Sequence, residues 1–316
     1  MKRSQTSKRC FTMIYHPLCF SPGKSVLLET DICGDVDDVG ALALLLAESR
    51  RYGFGIAGIN INCTVPESAA AVTAILRSRG FPDLPLGMAA PQQELASVYL
   101  AECAALLPSK ACAELSPKSS ERLYQDVLAT VPDHSLNIIS IGFLQTLDQA
   151  WRANPELFAR KVDTVLVMGG SFLYKPGYRE FNIVKSHQAN AEDFVNHYPG
   201  PIVFVGFELG CDIYTDLSPK ADKLSDPVVA AYRAYSKKAT GAPTCRRNSW
   251  DPVTIDFAVH GEGARYRLSP SIDLKVDDGV FHFHEDPAAN RAFVIPNQSN
   301  EALGEYLSRQ ILAEIS

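Results

Sequence analysis

The apolar run Ser25-Val26-Leu27-Leu28 passes straight into a loop dense in carboxylates, Glu29-Thr30-Asp31-Ile32-Cys33-Gly34-Asp35-Val36-Asp37-Asp38. A second apolar run follows over residues 41–47. Like charges this close repel one another, and a strand end holds them only with a cation. Open α/β sheets bind their ligands outside the carboxyl ends of the strands. The loop therefore reads as a hard-metal site at such an end. A helix N-cap cluster is the plainer alternative and accounts for Asp37 and Asp38 near a helix dipole. It does not account for Glu29, Asp31 and Asp35 as well. The loop is no EF-hand, because the Asp/Asn alternation and the closing Glu are missing.

Apolar strands alternate with helical patterns through the first two thirds of the chain. Residues 26–28, 55–61, 136–141, 162–167 and 201–205 read as strands, and residues 39–48, 67–79 and 144–153 as helices. This alternation predicts a single α/β domain, a mainly parallel central sheet flanked by helices. The expected domain runs over residues 25–316, after a flexible tail over residues 1–24. The tail carries Lys2, Arg3, Lys8 and Arg9 and no acid, which fits an organelle-targeting or a disordered cytosolic segment. Its short apolar part is broken by His16 and Pro17, which argues against a secretory signal. Residues 94–131 read as mostly helical with a break near Pro108, and residues 169–179 and 236–249 as loops. Asp277-Asp278-Gly279 marks a hairpin turn between strands at 272–276 and 280–284.

Composition excludes several classes. Net charge is −6 with no long basic run, so nucleic-acid binding has no electrostatic support. No apolar stretch reaches the length of a membrane span. The eight cysteines are scattered without a CxxC pair, the pattern of reduced cytosolic thiols. His282 and His284 alternate along a strand without a third ligand at zinc spacing, and read as a solvated face.

The acidic loop resembles the signature of the inosine-uridine-preferring nucleoside hydrolase family, in its longer form DTDIGxDxDD. Glu29 stands where the family has Asp, and Cys33-Gly34 replaces Gly followed by a small residue. Further stretches resemble the family in order. They are Ile59-Asn60-Ile61-Asn62-Cys63-Thr64, the string IISIGFL at 138–144, Val167-Met168-Gly169-Gly170, Glu180-Phe181-Asn182, VFVGFELG at 203–210, and Ser249-Trp250-Asp251-Pro252. The last matches a branch with WDP in place of HDP.

The resemblance implies a calcium-dependent hydrolase, cytoplasmic, acting in purine or pyrimidine salvage on a nucleoside-like substrate. Relatives are commonly oligomers, so a homo-oligomer is expected. By the same resemblance Asp31 is the general base, and Asp31, Asp38, Asp251 and the Ile141 carbonyl hold Ca2+. Asp37, Asn62, Glu180 and Asn182 would hydrogen-bond the sugar. The chemistry suits these residue types: carboxylates favour an oxocarbenium-like sugar, and a bound cation eases deprotonation of water. Read without the resemblance, Asn62 is also a turn former, Glu180 a surface carboxylate, and Asp251 a helix N-cap with Pro252 at N1. Met168 and Phe181 suit either the core or a sugar pocket.

Trp250 occupies the position of the family's leaving-group acid. Its ring can stack on a flat aglycone or close the pocket, but it supplies no acid. Arg246, Arg247, Tyr174, Tyr178 and His187 are the candidates left for assisting the leaving group. Two other readings of the acidic loop stand beside this one: a magnesium-dependent phosphoesterase, and a ribose-binding protein without turnover.

Overall fold

The structure, a computed structural model, describes residues 14–63, 65–90, 96–185 and 188–315. In chain order the strands begin with β1 (Ser25–Thr30), β2 (Gly55–Ile61), β3 (Leu86–Met88), β4 (Lys118–Ser119), β5 (Leu136–Ser140), β6 (Val162–Met168) and β7 (Ile202–Val205). They continue with β8 (Tyr214–Asp216), β9 (Arg246–Asn248), β10 (Tyr266–Leu268), β11 (Ile272–Asp277), β12 (Val280–Glu285) and β13 (Arg291–Pro296). The central strands β5 and β7 are buried along their whole length, as expected where helices cover both faces of a parallel sheet.

The main sheet has the order β12-β11-β13-β7-β6-β5-β1-β2-β3-β4, with β10 beside β13. It is parallel from β4 through to β13, and β10, β11 and β12 add antiparallel pairs. The strands β8 and β9 form a separate antiparallel ribbon. From β1 the chain winds outward to β4 and then returns to lay β5 on the other flank of β1. Strand order therefore reverses between β1 and β5, and a crevice opens at their carboxyl ends.

Residues of β1 alternate between two apolar layers. Val26 and Leu28 pack with the helix Asp37–Tyr52, while Leu27 packs with Leu123 and Tyr124 on the opposite face. The helix Asp37–Tyr52 ends at Gly53, whose φ of 74° and N–H to the Ser49 carbonyl close the last turn. Beside it lies the helix Trp250–His260, buried from Asp251 to Val259. The two helices start at the same end of the sheet.

Four sequence expectations are corrected. The tail boundary at residue 24 is too late: Tyr15 and Leu18 are core residues, and the Tyr15 hydroxyl donates to the Ala258 carbonyl at 2.6 Å. Residues 236–240 are not loop but the last turn of the helix Pro227–Thr240, which stops at Gly241 with φ 76°. Its exposed Lys237 and Lys238 face outward, so their composition reads as loop. The described part of 94–131 is broken further than expected, into helices Leu100–Ala104, Ser109–Ala113 and Ser120–Thr130 with β4 before the last. Asp251 is not an N-cap, because Ser249 takes that position and the helix starts at Trp250. The Asp277-Asp278-Gly279 hairpin forms as expected, with φ of 48° at Asp278 and 74° at Gly279.

Candidate active site

The pleat of β1 sorts the acidic loop. Thr30 shares a face with Leu28, and its hydroxyl donates to Asp38 Oδ1. Glu29 shares the face of Leu27 and points the other way. Its carboxylate accepts from Asn60 Nδ2, Asn62 Nδ2 at 3.0 Å, Thr146 Oγ1 at 2.9 Å and the Tyr124 hydroxyl. Glu29 thus takes no part in the acidic cluster, contrary to its reading as a further metal-loop carboxylate. All its partners donate, which suits an ionised acceptor, although burial pushes its pKa up.

Asp37, Asp38 and Asp251 form the cluster. Their carboxylates each offer an oxygen within 4.8 Å of the others, and all three side chains are buried. Two helix N-termini meet here, and the Asp251 N–H donates to Asp37 Oδ2 at 3.2 Å. Burial first, and then the neighbouring carboxylates, hold all three well above the ordinary carboxylate range. Asp31 stands in the same wall, likewise pushed up, above all by burial, and adds to the repulsion at Asp38 and Asp251. Ile141 also lines this wall. Next to it Gly142 has no room for a side chain, since a Cβ would lie 2.5 Å from the Asp31 nitrogen and 2.7 Å from its Oδ1. Such a dense all-oxygen set fits a hard divalent cation, whose charge would turn mutual repulsion into shared attraction.

The cluster forms one end of a cavity of about 460 Å³. Met168, Glu180 and Asn182 line its side. Glu180 caps the helix Phe181–Val184 through Asn182 N–H at 3.1 Å and Ile183 N–H at 3.3 Å, and burial pushes its pKa up to about 7 against those donors. Asn182 Nδ2 donates to the Met168 carbonyl at 3.1 Å. Tyr178, Phe181, Phe207 and Trp250 supply aromatic walls. The Trp250 ring stacks on Phe207 with centroids 5.6 Å apart, and its indole N–H donates to the Phe207 carbonyl at 2.8 Å.

Asn62 is not among the cavity-lining residues. Its amide grips Phe143, donating to the carbonyl at 2.7 Å and accepting the N–H at 3.2 Å, while Glu29 holds it from behind. It braces the turn after β5 rather than facing the cavity. Of the leaving-group candidates, Arg247 and Tyr178 line the cavity. Arg246 instead stacks over Tyr214, and Tyr174 packs on Phe207 outside the lining. His187 lies outside the described residues.

Two features were missed from sequence. Asp35 leaves the acidic cluster to pair with Arg247, at 2.8 Å through Nε and again through Nη2. Phe207 enters the wall because the helix Phe207–Gly210 follows β7 directly. For Glu29, the period-2 alternation along β1 was a readable signal. Nothing in the sequence pairs Asp35 with a residue 212 positions away.

The family model described as inosine-uridine preferring nucleoside hydrolase matches residues 26–287. Among curated protein sequences none matches this chain. Solved structures with the same fold include a plant nucleoside hydrolase at 17% identity and TM-score 0.67, covering 93% of this chain and 99% of that one. An inosine-uridine preferring nucleoside hydrolase from Bacillus anthracis is 16% identical with TM-score 0.66, over 92% of this chain and 99% of its own. The type III effector protein XopQ, solved with adenosine diphosphate ribose, is 13% identical with TM-score 0.67, over 94% and 95%.

Proposed function

The chain belongs to the inosine-uridine preferring nucleoside hydrolase family, a family of N-glycosyl hydrolases, and we propose that it is a calcium-dependent enzyme that splits ribonucleosides or related N-ribosides into base and ribose. The observation that carries this reading is the buried Asp37, Asp38 and Asp251 group in a cavity also lined by Glu180, Asn182, Arg247 and aromatic side chains. Asp31, Asp38, Asp251 and the Ile141 carbonyl would hold the ion, with Asp37 shared between ion and sugar. When bound, the ion supplies the positive charge that eases loss of a proton from an attacking water.

Asp31 takes that proton at its carboxylate. Asp37, Glu180 and Asn182 hydrogen-bond the ribose hydroxyls and fix the ring over the acidic end. The surrounding negative charge favours the oxocarbenium-like sugar more than the neutral substrate, which lowers the barrier rather than only tightening binding. Met168 packs under the ring. Trp250 and Phe207 offer flat apolar faces to a flat aglycone and exclude water from it. With its indole N–H already bonded to Phe207, Trp250 contributes a face and no proton. A role in purine or pyrimidine salvage, a cytoplasmic location and a homo-oligomeric assembly complete the reading.

A reducing-sugar assay across a nucleoside panel, run on wild type and Asp31→Ala, tests it. Release of ribose by wild type and a loss of about 10²–10⁴-fold in the variant are expected. Saturable nucleoside binding without release would make this a binding protein. Turnover surviving Asp31→Ala would remove Asp31 as the base, and activity on phosphate esters with magnesium would favour the phosphoesterase.

A further inference from the structure

Among the described residues lining the cavity, Arg247 is the one cation. Its guanidinium carbon lies 5.3 Å from the Trp250 ring centroid and 5.2 Å from that of Tyr235. Asp35 holds Nε and Nη2, and Nη1 donates to Asn248 Oδ1 at 3.2 Å. Among the described residues three of the five N–H groups are thereby engaged, and one remains on each terminal nitrogen. Asp35 is itself fixed: its carboxylate accepts the Val36 N–H at 2.6 Å, and its carbonyl accepts from the Tyr99 hydroxyl at 2.6 Å. The Arg247 side chain is a quarter exposed and belongs to the cavity lining. A guanidinium braced in this way, beside the flat face of Trp250, is preorganised for a planar ligand with a hydrogen-bond acceptor on its edge.

Resting on the nucleoside hydrolase reading, we infer that Arg247 binds the aglycone and stabilises the negative charge it acquires as it leaves. Water oxygen bonds to the anomeric carbon and the N-glycosidic bond breaks. The electron pair of that bond passes to the ring nitrogen of the base, the water proton goes to Asp31, and the base anion is later protonated from solvent. Arg247 keeps its proton throughout and acts by charge and hydrogen bonding. This fills the need left by Trp250, which has no acidic proton to give. Asp35 then serves as a positioning residue, which aims the guanidinium and keeps it off the Asp37, Asp38 and Asp251 group. Tyr178 is the rival donor, but burial pushes its hydroxyl up to about 12 and away from service as an acid.

The test compares a nucleoside such as inosine or uridine with para-nitrophenyl β-D-ribofuranoside, whose leaving group needs little help. Wild type, Arg247→Ala, Arg247→Lys and Tyr178→Phe are assayed, with thermal unfolding as the check of folding. The expected result is a drop of about 100-fold in the ratio of nucleoside to nitrophenyl turnover for Arg247→Ala, partly restored in Arg247→Lys. An unchanged ratio, with both rates falling together or neither falling, overturns the assignment and makes Arg247 a structural brace. So does a ratio change in Tyr178→Phe and not in Arg247→Ala. If wild type cleaves neither substrate, the nucleoside hydrolase reading fails first and the role of Arg247 fails with it.

Discussion

The side chain of Asp37 accepts the backbone N–H of Asp251 at 3.2 Å, joining the first turns of two helices 214 residues apart in sequence. The contact joins the two helix starts whose carboxylates, with that of Asp38, lie within 4.8 Å of one another. On the proposed ligand set, Asp38→Ala and Asp251→Ala should each weaken calcium binding by at least about 100-fold. Isothermal titration of the purified protein measures this. Unchanged affinity in both variants would move the metal elsewhere.

Stability without metal should fall as pH rises. The folded chain holds protons on Asp37, Asp38, Asp251 and Glu180 that the unfolded chain has already released, because all four pKa values are raised on folding. Their contribution is full below the ordinary carboxylate range and is lost as pH climbs through the raised values, about 7 for Glu180. In chelator, Tm should therefore drop between about pH 5 and pH 8, and saturating calcium should flatten the slope. Asp38→Asn should flatten it without calcium. A Tm in chelator that climbs over this range would show that the buried carboxylates are not held protonated.

Glu29→Ala should destabilise the fold rather than merely slow the reaction. It would orphan donors on Asn60, Asn62, Tyr124 and Thr146 in a buried layer. The cost should be on the order of 3 kcal/mol by urea unfolding. A change below about 0.5 kcal/mol would mean that the quartet relaxes onto other partners.

On the proposed role of Trp250 as a face for the aglycone, Trp250→Ala should raise KM for nucleosides about 10-fold, with a smaller change in kcat. Trp250→Phe, which keeps a smaller aromatic ring and loses the N–H to Phe207, should recover part of the KM. Steady-state kinetics on one good nucleoside decide it. Equal KM in Trp250→Ala and wild type would take Trp250 out of the substrate wall.

Much of this protein was legible along the chain. The alternation of apolar runs and helical periods gave the parallel sheet, because strands covered on both faces are dominated by apolar residues. The density of carboxylates after β1 marked the acidic end of the cavity, because such repulsion must be relieved by a cation or by bound protons. The Asp-Asp-Gly turn announced its hairpin through local backbone preference alone. Tertiary structure decided which carboxylates act together. It gave Glu29 its partners on the opposite face, spent Asp35 on Arg247, and drew Asp251 in beside Asp37 and Asp38. It also withdrew Asn62 from the cavity to clamp Phe143. These partners lie tens to hundreds of residues apart. A local pattern states what each side chain can do, but only the packed sheet edge determines which of them meet.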